Sequence, residues 1–349
     1  DGGGVGGKDR AVGNDGFGLL CDALFDALVF KQSVTEQTEA VISDSAIFAS
    51  NTSTIPITEL SEASKRAENF IGIHFFSPVD RMMLVEIITG EKTGDKALAM
   101  AIDYVLAIKK TPIVVNDSRG FYVNRCVMRY MQEAWNMLIE GVPVPMIDNV
   151  AMMAGMPVGP LALNDEVAID LSQKVMKQTM ANLGEDAVDP RHFDLVNTLV
   201  DGHGRIGKKA GKGFYDYPPK PAKKHLWPEL KSLYPQKDAD SVDVGEIKDR
   251  FLFTIAMEAA RTVEEGVVTD IREADVGAIL GFGFAPYSGG PLTFIDQMGV
   301  EAFRARAEAL AAKHGEQFKP IALINEMAQK GETFYGRFAG EATGSKEAA

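Results

Sequence analysis

Read for hydrophobic period, the chain changes character twice. Residues 1–20, "DGGGVGGKDRAVGNDGFGLL", are glycine-rich without a hydrophobic period, and a short apolar run, "ALFDALVF", follows. We expect the first twenty to be loosely ordered and treat 1–30 as a separate segment. From Lys31 the pattern sharpens. "KQSVTEQTEAVI" predicts a moderately amphipathic helix, and "AIFAS" a short apolar strand ending at the polar cluster "NTST". "FIGIHFF" and "LVEII" predict two more strands. In "DKALAMAIDYVLAIKK", Leu98, Ala101, Ile102, Val105 and Ile108 share one helical face, and "PIVV" closes the region as a strand. Helices alternating with fully apolar strands predict an α/β layer with parallel strands that can include an antiparallel hairpin.

After Asp117 the strand signals stop and long helices take over. "VNRCVMRYMQEAWNMLIEGV" (123–142) aligns with "KDRFLFTIAMEAARTVEEGV" (248–267) at a constant offset of 125. Arg125 matches Arg250, Glu133 and Ala134 match Glu258 and Ala259, and Glu140 and Gly141 match Glu265 and Gly266. Each copy then reaches a Gly-Pro-Leu, at 159–161 and 290–292. A helical unit is therefore duplicated. Between the copies, "PPKPAKKHLWPELKSLYP" is rich in Pro and Lys and reads as a linker from about Pro218 to Lys237.

With 349 residues and 46% hydrophobic content, the chain can form two or three domains. Its net charge of −13 and lack of long Lys/Arg blocks exclude a phosphate-backbone binder that works by releasing counterions. Cys21 and Cys126 have no ligand-like spacing to His, so neither a disulfide framework nor a zinc site is expected, and a cytoplasmic setting fits. No run of 18 apolar residues suggests a membrane span.

Candidate chemistry begins with two polar residues in apolar strands. Alternation puts Phe70, Gly72, His74 and Phe76 on one face, and Leu84, Glu86 and Ile88 on another. If the strands pair antiparallel around "SPVDRMM", partner numbers sum to 160 and His74 lies opposite Glu86. A carboxylate against an imidazole stabilises the imidazolium and fixes which ring nitrogen faces a substrate, which makes a general base. An ordinary strand-end histidine, with Glu86 facing solvent, accounts for the spacing equally well. Asn51 and Ser53 lie at the carboxyl end of a strand, where α/β sheets bind ligands, or else cap the following "PITEL" helix. Asn124 sits in the first turn of a long helix, as a ligand contact or a structural polar contact. Lys208, Lys209 and Lys212 in "RIGKKAGKGFYDY" suit either a phosphate-holding loop or a solvated turn. Gly2, Gly4 and Gly7 formally satisfy G-x-G-x-x-G, but only Asp1 precedes them and no helix follows, so the match is set aside.

Taken together, "ASNTSTIPI", "IGIHFFSPVDRMMLVEII", "DSRGFYVNR", "MPVGPLAL", "GKGFYDY" and "GFGFAPYSGGPL" resemble the L-3-hydroxyacyl-CoA dehydrogenase family. The motif order and the doubled helical unit most resemble the dehydrogenase half of the bacterial multifunctional fatty-acid-oxidation alpha subunits, over about Lys31 to Phe338. The resemblance implies an α/β plus all-α fold: a truncated Rossmann-like NAD-binding domain (31–117) followed by two duplicated helical C-terminal domains (118–217 and 238–345). It also implies NAD-dependent oxidation of a (3S)-3-hydroxyacyl-CoA in fatty acid β-oxidation. Under it His74 is the base, Glu86 orients it, and Ser53 and Asn124 bind substrate and support catalysis. Lys31, Asn51 and Ser53 contact NAD, and Ser77, where many relatives carry Asn, contacts the acyl-CoA. A homodimer or a thiolase-containing complex is the implied assembly.

Relatives begin this domain with a strand, a true G-x-G-x-x-G turn and an acidic residue for the ribose, and only thirty residues precede Lys31 here. We therefore expect the first half of the Rossmann sheet and the preceding hydratase domain to be missing, as in a truncated or frameshifted product. A catalytically inactive helical interaction module is the alternative from another class. A serine hydrolase using Ser53 and His74 is disfavoured because no G-x-S-x-G elbow is present.

Overall fold

The computed structural model describes residues 17–20, 28–53 and 55–338. The expectations for 1–16 and 21–27, including the glycine run, lie outside the described residues. The described residues divide into two compact units: 17–20, 28–53, 55–125, 262–281 and 337–338 form the first, and 126–261 with 282–336 form the second.

The first unit is built on a five-stranded sheet: β1 (Phe17–Leu20), β2 (Ile47–Ser50), β3 (Phe70–Phe75), β4 (Leu84–Thr89) and β5 (Thr111–Asn116), in that spatial order. β1 to β3 run parallel, β3 and β4 pair antiparallel, and β4 and β5 run parallel. Helices α1 (Leu28–Glu39), α2 (Ile57–Ser61) and α3 (Asp95–Ala107) fill the connections, and α4 (Val123–Ile139) follows β5. β1 corrects one expectation, because it falls in the segment read as loosely ordered. Its backbone pairs with β2 from Phe17 beside Ile47 to Leu20 beside Ser50. A parallel edge accepts such a strand through backbone bonds, which leave no trace in side-chain periodicity.

The two sheet faces differ in chemistry. Ile47, Ala49, Ile71, Ile73, Val85 and Ile87 form one apolar cluster with Ala97, Ala101 and Val105 of α3. The period of two then sends Gly72, His74, Leu84, Glu86 and Ile88 to the opposite face. Gly72 is required there: a Cβ would lie 2.8 Å from the Ile57 side chain and 2.9 Å from Ile88 Cβ, so glycine lets α2 lie close on the sheet.

Residues 262–281 belong to this first unit, although the sequence assigns them to the second helical copy. Val268 bridges to Val115, Glu273 Oε2 accepts the Val114 amide at 2.7 Å, and Tyr122 Oη donates to Ala274 O at 2.8 Å. Backbone bonding at the β5 edge thus overrides chain order.

The second unit is helical, with α5 (Val144–Met153), α6 (Pro160–Val167), α7 (Ile169–Leu183) and α8 (Pro190–Asn197) from the first copy. Two short strands follow, β6 (Tyr215–Asp216) and β7 (His225–Leu226), then α9 (Leu230–Leu233) and α10 (Val244–Glu264). α11 (Ile271–Phe282) lies almost wholly in the returning segment of the first unit, and the remaining helices of the second are α12 (Pro291–Met298), α13 (Val300–His314), α14 (Ala322–Lys330) and α15 (Phe334–Phe338). Duplication shows in the bonding. Asp165 accepts the amides of Phe214 and Tyr215 at 2.7 and 2.9 Å, and Asp296 accepts those of Phe334 and Tyr335 at the same distances. The stretch read as a linker is mostly exposed but is pinned at two points. Trp227 and Leu230 are buried, and Arg205 stacks 4.3 Å over the Trp227 ring, a contact between apolar body and planar cation that the Pro/Lys composition hides.

Candidate active site

β3 and β4 pair in the expected register, with His74 opposite Glu86, Gly72 opposite Ile88 and Phe75 opposite Val85. His74 Nδ1 and Glu86 Oε2 stand 2.8 Å apart, and both side chains are buried. The other Glu86 oxygen, Oε1, accepts the amides of Tyr122 at 3.1 Å and Val123 at 2.8 Å, which open α4. An orphan amide pair at a helix start is a natural anion site, and here it holds the carboxylate. Because Glu86 accepts on both oxygens, the proton between the two side chains sits on His74 Nδ1, so that in the neutral form of the ring the lone pair is on Nε2. Among the described residues Nε2 has no hydrogen-bond partner. The ring lies against Phe76, centroids 4.5 Å apart, and Phe121, 5.8 Å apart. A neutral imidazole held by a carboxylate, with its second nitrogen open, can take a proton from an alcohol.

Asn124 donates through Nδ2 to Ser53 O at 3.0 Å, which ties the start of α4 to the loop after β2. Asn51 Oδ1 accepts the Phe75 amide at 2.9 Å, one residue beyond His74. Among the described residues the Ser53 hydroxyl, Asn51 Nδ2 and Asn124 Oδ1 are left without a protein hydrogen bond. Their backbone-facing atoms hold the loop, and their remaining polar atoms are open to a ligand. Ser77 lies exposed on the turn between β3 and β4, and Lys31 is buried in the first turn of α1. Neither is drawn into the His74–Glu86 pair.

Residues 9–118 match the family described as 3-hydroxyacyl-CoA dehydrogenase, NAD binding domain, and 120–217 and 245–342 each match its C-terminal domain. The chain belongs to the 3-hydroxyacyl-CoA dehydrogenase family. Among relatives, the fatty acid oxidation complex subunit alpha of Shewanella amazonensis is 40% identical over 319 residues, covering 91% of this chain and 44% of that protein. The subunit of the same name from Idiomarina loihiensis is 40% identical over 317 residues, with the same coverage of each. The chain thus spans less than half the length of these relatives. Among solved structures, the dehydrogenase part of multifunctional enzyme 1 from C. elegans superposes with a TM-score of 0.61 at 25% identity, covering 88% of this chain and 71% of that one. The 3-hydroxybutyryl-CoA dehydrogenase of Escherichia coli shares the fold, with a TM-score of 0.72 at 24% identity over 89% of this chain and 81% of that one.

NAD is the cofactor of a domain of this family. Dinucleotides lie outside the carboxyl ends of parallel strands, and β2 ends at Ser50, directly before Asn51 and Ser53. The open amide and hydroxyl of Asn51 and Ser53 suit a carboxamide and ribose, so the residues present fit the group. The helical unit holds a cavity of about 280 Å³ lined by Arg129, Glu133, Asn136 and His192, among others, and by none of the residues expected from sequence. Of its two carboxylates, Glu133 bonds Arg250 at 2.5 Å and Asp189 pairs with Arg191 at 2.6 Å.

Sequence reasoning missed the Tyr122 and Val123 amides, and with them Asp117 and Phe121. The one available signal was the "DSRGF" stretch before the long helix, a turn with a glycine followed by a buried aromatic. Gly120 has φ +77° and Phe121 has φ +53°. For a non-glycine residue that conformation costs on the order of 1–3 kcal/mol and concentrates at functional sites. In the basic loop, Lys208 pairs with Glu166 and Lys212 Nζ donates to His203 O, which is the solvated-turn arrangement.

Proposed function

We propose that this chain oxidises a (3S)-3-hydroxyacyl-CoA to the 3-oxoacyl-CoA with NAD, as a step of fatty acid β-oxidation. The observation that carries this reading is the His74–Glu86 pair, with Glu86 held by the Tyr122 and Val123 amides and His74 Nε2 left open. His74 Nε2 takes the proton of the 3-hydroxyl, and Glu86 stabilises the imidazolium that results. Bound NAD would supply the acceptor for the hydride of C3. Ser53 Oγ and Asn124 Oδ1 hold the substrate oxygen functions beside His74, and Ser77 meets the acyl-CoA at the rim. Lys31 and Asn51 hold the cofactor. Assembly as a homodimer or in a thiolase-containing complex, in the cytoplasm, belongs to the same proposal. Assembly in a complex is supported by relatives that are subunits of a fatty acid oxidation complex. Among the described residues no helix is long and apolar enough to cross a membrane.

The test is NADH formation with a 3-hydroxyacyl-CoA, comparing this chain with His74→Ala. Turnover that disappears in the variant supports the reading. Absence of turnover in a folded sample of the unaltered chain overturns it and leaves the helical interaction module.

A further inference from the structure

Beyond the residues that meet the reactants, we propose that the turn 117–124 is the positioning element of this site. Phe121 fixes the His74–Glu86 pair and Asp117 fixes the loop that carries Ser53. The proposal rests on the reading of His74 as the base.

Consider first the α2 end. The N-cap of α2 is Pro56, which offers no side-chain cap. The orphan amides are met from sixty positions away: Asp117 Oδ1 accepts Ile57 N at 2.9 Å and Oδ2 accepts Thr58 N at 2.7 Å. Asp117 is itself anchored, its amide donating to Thr89 O at the end of β4. Seven residues on, Asn124 holds Ser53 O. Ser53 and the start of α2 are thereby both fastened to one turn.

The middle of that turn serves the catalytic pair. Left-handed Gly120 and Phe121 bend the chain so that the next two amides reach Glu86 Oε1. The Phe121 side chain is fully buried, its ring tilted 57° to that of His74, with Phe76 also against His74. Phe121 therefore acts twice, through its backbone on Glu86 and through its ring on the imidazole. Neither Phe121 nor Asp117 is placed on a reacting atom, so both are positioning residues.

The two roles separate experimentally. Phe121→Leu, with Phe121→Met as a second variant of similar volume, should lower kcat about 10-fold while leaving KM within about twofold, because misplacing a reacting group costs rate. Asp117→Asn sets an amide donor against a backbone N–H and loosens the Ser53 loop. It should raise KM for the acyl-CoA about 10-fold with kcat little changed. The His74 Nδ1 proton, followed by nitrogen-edited NMR, should broaden through exchange in both Phe121 variants and persist in Asp117→Asn. An unchanged Nδ1 signal with unchanged kcat in the Phe121 variants overturns the proposal. So does a fall of kcat and KM effects together in all variants, tracking folded fraction by circular dichroism. If the unaltered chain lacks turnover yet its Nδ1 proton broadens on Phe121→Leu, the dehydrogenase reading fails while the positioning role stands.

Discussion

Glu86 faces His74 with one oxygen and the start of α4 with the other, 2.8 Å from His74 Nδ1 and 2.8 Å from the Val123 amide. Glutamine cannot reproduce this. With its oxygen toward the amides, its NH₂ donates to His74 Nδ1 and drives the ring proton onto Nε2, where the base is needed. With its oxygen toward His74, its NH₂ meets two amide donors. Glu86→Gln should therefore lower kcat by about 10²–10⁴-fold, the usual worth of general base catalysis, with KM little altered. Steady-state NADH formation measures both constants.

Gly72 gives a steric test of the same face. A Cβ there would stand 2.8 Å from Ile57 and 2.9 Å from Ile88, and the Ile88 contact is a Cβ atom on the paired strand that cannot swing away. Gly72→Ala should destabilise the fold by about 1–3 kcal/mol, as overpacking does, and displace α2. Urea denaturation would show a lower midpoint with an unchanged slope.

The local part of this architecture was legible and the long-range part was not. Strand alternation and the turn length set His74 opposite Glu86, and the offset of 125 exposed the duplicated unit, because both signals lie in neighbouring residues or in self-similarity. Glu86 Oε1 meeting residues 36 and 37 positions away, or Arg250 meeting Glu133 across 117, leaves no period to read. The return of 262–281 to the sheet unit was hidden for the same reason. Its helix α11 shows an ordinary pattern, and only the bonds of Glu273 and Tyr122 reveal what it covers.

Arg250 is the next residue to test. It is buried, its Nε donating to Glu133 Oε1 at 2.5 Å and its two terminal nitrogens to Glu140 at 2.6 and 2.9 Å. Burial pushes the Glu133 carboxyl up from its ordinary range, and Arg250 is the main opposing influence. Arg250→Met strands that carboxylate and should cost about 3–5 kcal/mol. Adding Glu133→Gln removes the stranded charge while keeping acceptors and donors, and should restore roughly half of the loss. Denaturant titration of both variants checks the pair of values.

His192 adds an acid-sensitive contribution to the stability of the helical unit. Its Nε2 lies 2.8 Å from Asn136 Oδ1, and Asn136 donates its own Nδ2 to Glu133, so Nε2 must carry a proton and donate. Its ring also meets Trp135 edge-on at 5.3 Å. Burial lowers the His192 pKa from 6.5 to about 4. As pH falls below 6.5, the unfolded chain binds a proton at this residue before the folded chain does, so acid favours unfolding. The stability contributed by a neutral His192 is present above pH 6.5 and is lost as pH falls through about 4. From the span of the shift it amounts to at most about 3 kcal/mol. His192→Gln can still donate to Asn136 but does not titrate. Measured by denaturant unfolding, the difference in stability between the unaltered chain and His192→Gln should shrink steadily between pH 7 and pH 4. A difference independent of pH across that window would show that His192 is not held neutral in the folded state.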